Sequence, residues 1–300
     1  MQDFIQHLIN GISLGSIYAL IALGYTMVYG IMKMINFAHA DVYMVGAFTA
    51  YYAAKWLGLE NSPGLATFAI LLLIAMVVCS LLGLAIERFA YRPLRNSPKV
   101  NVLITAIGVS LFLEYTGQVI FGADPKVFPE IMKDFVISSF GGIDLKSSDV
   151  TVLGVSLVAM VALNFIIQKT KLGRAMRAVS NNAPVASMLG VNTSRIIAFT
   201  FILGSCLAAV GSILVGMKYP KIDPLMGMMI GLKAFVAAVL GGIGNVQGAV
   251  LGALIMGLSE EMVVAYLSST YRDALAFGIL IVILIFKPTG LLGKYSVEKV

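Results

Sequence analysis

The sequence predicts an all-α polytopic membrane protein. Of its 300 residues, 59% are hydrophobic and only 12% are charged, whereas soluble domains are about half apolar and a quarter charged. Apolar runs of about 20 residues, the length that a helix needs to cross a bilayer, recur along the whole chain. Because no linker or low-complexity stretch divides them, the sequence indicates one transmembrane domain over residues 1–300.

Seven apolar runs are clear candidates for membrane spans. They cover residues 8–32, 36–56, 65–86, 102–121, 150–167, 196–217 and 272–286. The second run is long enough only if His39 and Asp41 enter the membrane region, and the seventh is short and has Arg272 and Asp273 at its mouth. All nine prolines fall between the proposed membrane segments, where the missing N–H group does least harm.

Residues 225–259 form a further, glycine-rich element whose one charge is Lys233. A single helix of this length would extend roughly 52 Å, well beyond a hydrocarbon core of about 30 Å. Glycines at its middle, residues 241–245 (GGIGN), are a turn signal. We therefore expect two passes or a re-entrant pair of half-helices, which gives eight or nine membrane segments in all.

Basic residues predict the orientation of these segments. They concentrate in residues 88–99, in residues 169–195, which contain no acid, and in the tail at Lys287, Lys294 and Lys299. Residues 122–149 contain three lysines against five acids, and residues 259–273 are mostly acidic. The positive-inside rule places the basic set in the cytoplasm. The N-terminus and loop 122–149 are then outside, and loop 169–195 and the C-terminus are inside.

Few groups in the chain could perform chemistry. It contains no G-x-x-x-x-G-K-[ST] loop for nucleotide phosphates, no H-E-x-x-H and no paired-cysteine motif. Its two cysteines, Cys79 and Cys206, lie in apolar runs, where they are expected to be buried and to hold no metal. The net charge of +6 is explained by cytoplasmic loops, so nucleic-acid binding is not indicated.

Glycines spaced four apart occur at Gly11 and Gly15 and again at Gly244, Gly248 and Gly252. Small residues at this spacing let helix backbones approach closely. The pattern leaves two interpretations open, which are packing within the chain and an interface between subunits.

The cytoplasmic segment of residues 172–192 (LGRAMRAVSNNAPVASMLGVN) contains the most informative pattern. Asn182 is a potential N-cap, Pro184 suits a first helical turn, and Gly190 suits the position after a helix end. The pattern predicts a short helix over residues 185–189, held between two spans. Such a helix could dock a partner, and a plain connecting loop is the alternative.

Five polar residues fall in or near the membrane segments. They are Asn36, His39, Asp41, Glu114 and Lys233. Ionisable groups in a membrane are costly and mark functional sites by default. Asn36 or Asp41 could instead cap the second span, and Lys233 could neutralise Glu114 or Asp41.

Several stretches resemble the LivH-type branched-chain amino-acid permeases of ABC importers. They are residues 20–30 (LIALGYTMVYG), 35–46 (INFAHADVYMVG), 237–248 (AAVLGGIGNVQG) and 287–293 (KPTGLLG), together with a segment at 172–192 like the loop on which such permeases dock their ATPases. The motifs occur in the family's order along the whole chain. One departure is Ala40, where the family pattern leads us to expect glycine.

The resemblance implies a permease subunit in a bacterial cytoplasmic (inner) membrane. It would pair with a second, unlike permease and two ATPase subunits, and would receive a hydrophobic amino acid from an external binding protein. ATP and Mg²⁺ would be used by the ATPases, with no cofactor in this chain. Residues of loop 169–195 would then couple to the ATPases: Arg174, Arg177, Asn181, Asn182, Ala183, Ala186, Ser187 and Gly190. The five polar residues would belong to the translocation path or its gate.

Two alternatives remain at the level of sequence. Related ABC permeases for urea, short amides or sugars share this architecture. A secondary transporter or channel would need no ATPase, but it would be expected to show two similar halves and a better-defined ion site.

Overall fold

The structure, a computed structural model, describes residues 2–95, 97–140 and 143–293 of the chain. The described residues form a helical bundle with four short strands at its edge. The helices are α1 (Gln2–Met32), α2 (His39–Trp56), α3 (Leu65–Ile86), α4 (Lys99–Phe121), α5 (Ser147–Lys169), α6 (Lys171–Asn181), α7 (Ala183–Met188), α8 (Thr193–Lys218), α9 (Met226–Gly241), α10 (Val246–Tyr266) and α11 (Arg272–Phe286).

Seven helices in the described part of the chain are long and apolar enough to cross a membrane. They include α10 but not α2, which has 18 residues and contains Asp41 and Lys55. The shorter α9 is also apolar. The architecture confirms the predicted all-α polytopic membrane protein.

The glycine-rich element is two helices joined by a turn, as the turn signal predicts. Gly242 and Gly244 adopt positive φ angles of 107° and 95°, a backbone region that suits glycine. Asn245 caps α10 by accepting hydrogen bonds from the backbone N–H groups of Gln247 and Gly248. The predicted end of this element at residue 259 is wrong, since α10 continues to Tyr266 and brings Glu260 to partners inside the bundle.

The C-terminal motif at residues 287–293 packs on this turn. The Leu291 and Leu292 N–H groups donate to the carbonyls of Leu240 and Gly241, and the Asn245 side chain donates to the Leu292 carbonyl at 2.8 Å. Two motifs distant in sequence therefore form one structural unit. The basic tail residues Lys294 and Lys299 lie outside the described residues.

Close helix packing at glycines organises the core. A Cβ atom on Gly257 of α10 would collide with the backbone of Gly15 on α1, and Gly252 lies equally close to Ala237 on α9. The predicted glycine spacings thus mediate packing within the chain. The central helix α1 contacts α5, α6, α8, α9 and α10.

The segment between α4 and α5 contains three strands. Strands β2 (Val136–Phe140) and β3 (Ile143–Lys146) pair antiparallel, and β1 (Lys126–Val127) pairs with β4 (Lys221–Ile222), which follows α8. These pairs lie at the end of the bundle that the charge pattern predicts to be external.

Candidate coupling surface and translocation cavity

Helices α6 and α7 form a compact pair between α5 and α8. Helix α6 buries Gly173, Met176 and Val179 on one face, a three-residue spacing that sets an apolar stripe against the bundle. Thr170 caps α6 by accepting from the Gly173 N–H at 3.0 Å. The pair is therefore held firmly against the membrane helices.

The short helix α7 is built as the sequence predicts, with its start two residues earlier. Asn182 caps it by accepting from the Val185 N–H at 3.0 Å, and Pro184 lies in its first turn. Gly190 ends it with a φ of 85°, and the N–H groups of Gly190 and Val191 donate back to the carbonyls of Ser187 and Ala186. Capping at both ends makes this six-residue helix a defined structure.

Most of the predicted coupling residues lie on the surface of this pair. The exposed ones are Arg174, Asn181, Asn182, Ser187 and Gly190, with Ala183 half-buried. Two differ from the expectation. Ala186 is buried because it faces the bundle, and the half-buried Arg177 is engaged in a hydrogen bond to the Ile167 carbonyl at the end of α5.

Sequence reasoning missed an exposed apolar patch on α7 and the residue that follows it, formed by Val185, Met188 and Leu189. Their exposed fractions are 48%, 85% and 78%. The spacing i, i+3, i+4 places them on one helix face, and this pattern could have been found in the sequence. Apolar side chains clustered on an exposed surface mark interaction sites.

Direct contacts connect this surface to the membrane helices. The Ser180 hydroxyl of α6 donates to the Gly30 carbonyl near the end of α1. A π-helical turn (Glu87–Tyr91) follows α3, and its Glu87 forms an ion pair with Arg95. Arg95 also donates a hydrogen bond of 2.9 Å to the Ser194 hydroxyl at the start of α8. Helix α6 is thereby joined to α1, and the segment after α3 is joined to the start of α8.

The polar residues before α2 do not cap it, contrary to the capping interpretation. The residue before the helix is Ala38, with no side-chain hydrogen bond to the first turn. Asn36 instead accepts from the Tyr91 hydroxyl at 2.9 Å, and the Asn36 and Phe37 carbonyls accept from the N–H groups of His39 and Ala40. The turn of residues 36–38 supplies these backbone acceptors, so no side-chain cap is needed.

His39 and Asp41 lie level with the middle of neighbouring helices, although their place in the sequence suggests the start of a membrane span. The His39 ring fits beside Gly24 and Gly204, the latter near the middle of α8, and meets the Tyr25 ring edge-on at 4.9 Å between centroids. Asp41 accepts from the Ser110 hydroxyl, near the middle of α4, at 2.6 Å. Helix α2 therefore begins within the bundle.

A cavity of about 240 Å³ adjoins this region. Helices α1, α2, α4 and α9 and the turn before α2 supply its walls. The lining residues are Tyr25, Phe37, Ala40, Ile107, Ser110, Leu111, Glu114, Met228, Leu232 and Phe235. Glu114 is the one ionisable acid among them, and Asp41 lies directly behind Ser110.

Lys233 does not pair with Glu114 or Asp41, so that hypothesis is wrong. Its ammonium group contacts Glu260 at 2.8 Å and Asp273 at 2.7 Å. Glu260, from the unpredicted last turns of α10, also accepts from Arg272 and from the Tyr18 hydroxyl. Lys233 thus belongs to a polar cluster joining α1, α9, α10 and α11, and of the five predicted path residues only Glu114 lines the cavity.

The described chain is a bundle of membrane-length helices, with a cavity among them and a capped helix pair at one end. This combination is typical of a multi-pass membrane transport protein. The model of the family described as branched-chain amino acid transport system, permease component, matches residues 7–284. The chain belongs to this family.

Individual relatives cover nearly the whole chain. The high-affinity branched-chain amino acid transport system permease protein BraD of Pseudomonas aeruginosa is 44% identical, over 99% of this chain and 98% of BraD. The corresponding protein LivH of Escherichia coli K12 is 43% identical with the same coverage. A probable branched-chain amino acid transport permease protein LivH of Methanocaldococcus jannaschii is 30% identical, over 95% of this chain and 89% of that protein.

Among solved structures, PsaBC from Streptococcus pneumoniae in complex with Fab matches with a TM-score of 0.43 and 11% identity, over 96% of this chain and 91% of that chain. This similarity is too low to support an argument about fold or function.

Proposed function

We propose that this chain is a permease subunit of an ATP-driven importer for branched-chain and similar hydrophobic amino acids. The observation that carries the proposal is the identity of 43–44% to BraD and LivH over nearly the full length of each protein. ATP binding and hydrolysis belong to partner subunits, in keeping with the lack of a P-loop in the sequence.

The proposed assembly contains this chain, a second, unlike permease, two ATPase subunits and an external binding protein. It lies in the cytoplasmic membrane with the N-terminus outside and the C-terminus inside. The distribution of basic residues between residues 88–99, 169–195 and the acidic loop 122–149 supports this orientation. Residues 169–195 then face the ATPases as a cytoplasmic coupling loop within a single transmembrane domain.

In the proposed mechanism, α7 inserts its apolar face into a groove of one ATPase subunit. Val185, Met188 and Leu189 supply the contact area, and the exposed Arg174, Asn181, Asn182 and Ser187 form a polar rim. Interfaces of this kind combine an apolar centre with a polar rim. Closure of the ATPases on ATP would move α7, and α6 would carry the movement to α1 through Ser180 and Gly30.

The double substitution Met188→Arg and Leu189→Arg tests this mechanism. Charged side chains there leave the fold of α7 intact, because both residues are exposed and its caps remain. We expect the ATPases to be lost on co-purification with the permeases, and ATP-dependent leucine uptake to fall at least about tenfold. A charged residue at the buried Ala186 would be less informative, since it would disturb the packing of α7 itself.

The matched control is Leu267→Arg, at an exposed apolar residue of 73% exposure just after α10, at the other end of the bundle. It should preserve both co-purification and uptake. Normal uptake by the double variant would contradict the coupling role. A wild-type chain that purifies alone and transports without ATP would contradict the importer and indicate a secondary transporter or channel.

A further inference from the structure

Glu114 is a buried carboxylate without a cationic partner among the described residues. Its exposed fraction is 7%, and it forms neither an ion pair nor a hydrogen bond with any residue in 2–95, 97–140 or 143–293. A charged side chain in this setting is costly. Natural proteins keep such a group where it faces a water-filled path or binds something of opposite charge.

Asp41 adds a second acid on the same side of the cavity. Its Oδ2 atom accepts from Ser110, which lines the cavity, while its Oδ1 atom has no hydrogen-bond partner within the described chain. Asp41 and Glu114 are close enough to interact electrostatically. Two neighbouring carboxylates in an apolar region attract a cation more strongly than either does alone.

The basic side chain on α9 is already engaged. Lys233 lies on α9, as do three residues of the cavity wall, but its ammonium group contacts Glu260 and Asp273. Within the described residues the cavity therefore has an acidic group in its wall, and no Lys, Arg or His side chain lines it.

The other walls of the cavity are almost entirely apolar. Ile107 and Leu111 on α4 face Met228, Leu232 and Phe235 on α9. A volume of about 240 Å³ lies below the range of about 300–1,000 Å³ found for sites of drug-sized ligands. It suits a small molecule with one aliphatic branch and one cationic group.

We infer that this cavity is a transient binding site for the transported amino acid, with the cargo's ammonium group at Glu114 and its aliphatic side chain against α4 and α9. Asp41, behind Ser110, adds negative charge near Glu114 without lining the cavity. The inference rests on the proposed function, because it assigns a place to the cargo of that importer. It divides recognition between the acids, which select an α-ammonium group, and the apolar walls, which select a branched side chain.

Photo-crosslinking in the intact complex tests the assignment. A leucine analogue with a diazirine in its side chain is loaded on the binding protein and supplied to the reconstituted importer during ATP turnover. We expect the cross-links, mapped by mass spectrometry, to fall on residues 107–114 and 228–235. Cross-linking there should drop about tenfold in Glu114→Gln, since a charge-assisted contact is lost, and should largely persist in Glu114→Asp.

A matched pair of variants on α4 tests the apolar wall. Leu111→Trp fills the cavity and should reduce uptake of leucine about tenfold, while uptake of the smaller valine falls less. Val119→Trp lies on the same helix at an 86% exposed position outside the cavity and should leave both uptake rates near wild type. In every variant, co-purification of the subunits and ATPase stimulation by the loaded binding protein check assembly.

Three results would overturn the inference. These are cross-links that map outside the two segments, cross-linking that is unchanged in Glu114→Gln, and loss of the second permease from the Glu114→Gln complex. The last would assign Glu114 to the interface between permeases. A wild-type complex without ATP-dependent leucine uptake would instead refute the proposed function, so the two failures are distinguishable.

Discussion

Glu260 is a carboxylate with no exposed surface, and three side chains donate to it. Lys233 and Tyr18 lie at 2.8 and 2.9 Å, and Arg272 completes the set. Lys233 gains a second partner in Asp273. A buried charge is tolerated only when its hydrogen bonds are satisfied in this way, so the cluster holds α9, α10 and α11 in one arrangement with α1.

Glu260→Gln should lower the stability of the purified protein by about 3–5 kcal/mol, because it leaves the buried cations without their central anion. The midpoint of unfolding in mixed micelles measures the effect. Asp273→Asn removes the other, half-exposed partner of Lys233 and should cost less than about 1 kcal/mol. Equal losses in both variants would show that the cluster is not organised around Glu260.

The close packing of glycines where α1 crosses α10 gives a second prediction about the stability effect of single substitutions. Gly257→Ala forces a Cβ atom into the backbone of Gly15, and overpacking of this kind costs about 1–3 kcal/mol or more. Gly278→Ala, in α11, meets no atom within 4 Å and should be neutral or slightly stabilising, since alanine favours helix more than glycine does. Unfolding midpoints of the two variants, compared directly, test the difference.

At the scale of elements, the turn of residues 242–245 joins α9, α10 and the C-terminal motif. Asn245 has two separate roles there, since its side-chain oxygen caps α10 and its side-chain nitrogen donates to the Leu292 carbonyl. Few residues other than asparagine can accept and donate in this way. The turn is thereby coupled to the chain end.

Substitutions at Asn245 should separate these roles. Asn245→Asp retains the cap but loses the donor to Leu292, whereas Asn245→Ala loses both, and the cap alone contributes about 1 kcal/mol. We expect the alanine variant to be the less stable of the two, and proteolysis after residue 287 to be faster in both than in wild type. Identical stability of the two variants would exclude a capping role.

At the scale of the whole molecule, the proposed orientation of the chain in the membrane gives the clearest testable prediction. With Cys79 and Cys206 replaced by alanine, a cysteine at Met188 should be protected from a membrane-impermeant maleimide in intact spheroplasts and labelled after lysis. A cysteine at Leu267 should be labelled in both. Both positions are highly exposed in this chain, and the permeases are expressed without their ATPases so that Met188 stays uncovered; labelling then reports the side of the membrane and not burial. Reversed labelling would invert the proposed topology.

Much of this molecule follows from its sequence. Apolar runs determine the membrane helices, glycine and asparagine at 241–245 determine the break between α9 and α10, and Asn182, Pro184 and Gly190 determine α7. These features depend on local hydrophobicity, backbone freedom and capping, which neighbouring residues decide.

Only the tertiary structure decided which polar groups meet. The pairing of Lys233 with Glu260, the depth of Asp41 beside Ser110, the isolation of Glu114 in an apolar cavity and the burial of Ala186 all depend on contacts between segments distant in the chain. Inside a bilayer an ionisable side chain takes whichever partner helix packing brings to it. Sequence alone therefore identifies the charged residues of this protein, while the packing of its helices determines which are neutralised and which have no partner among the described residues.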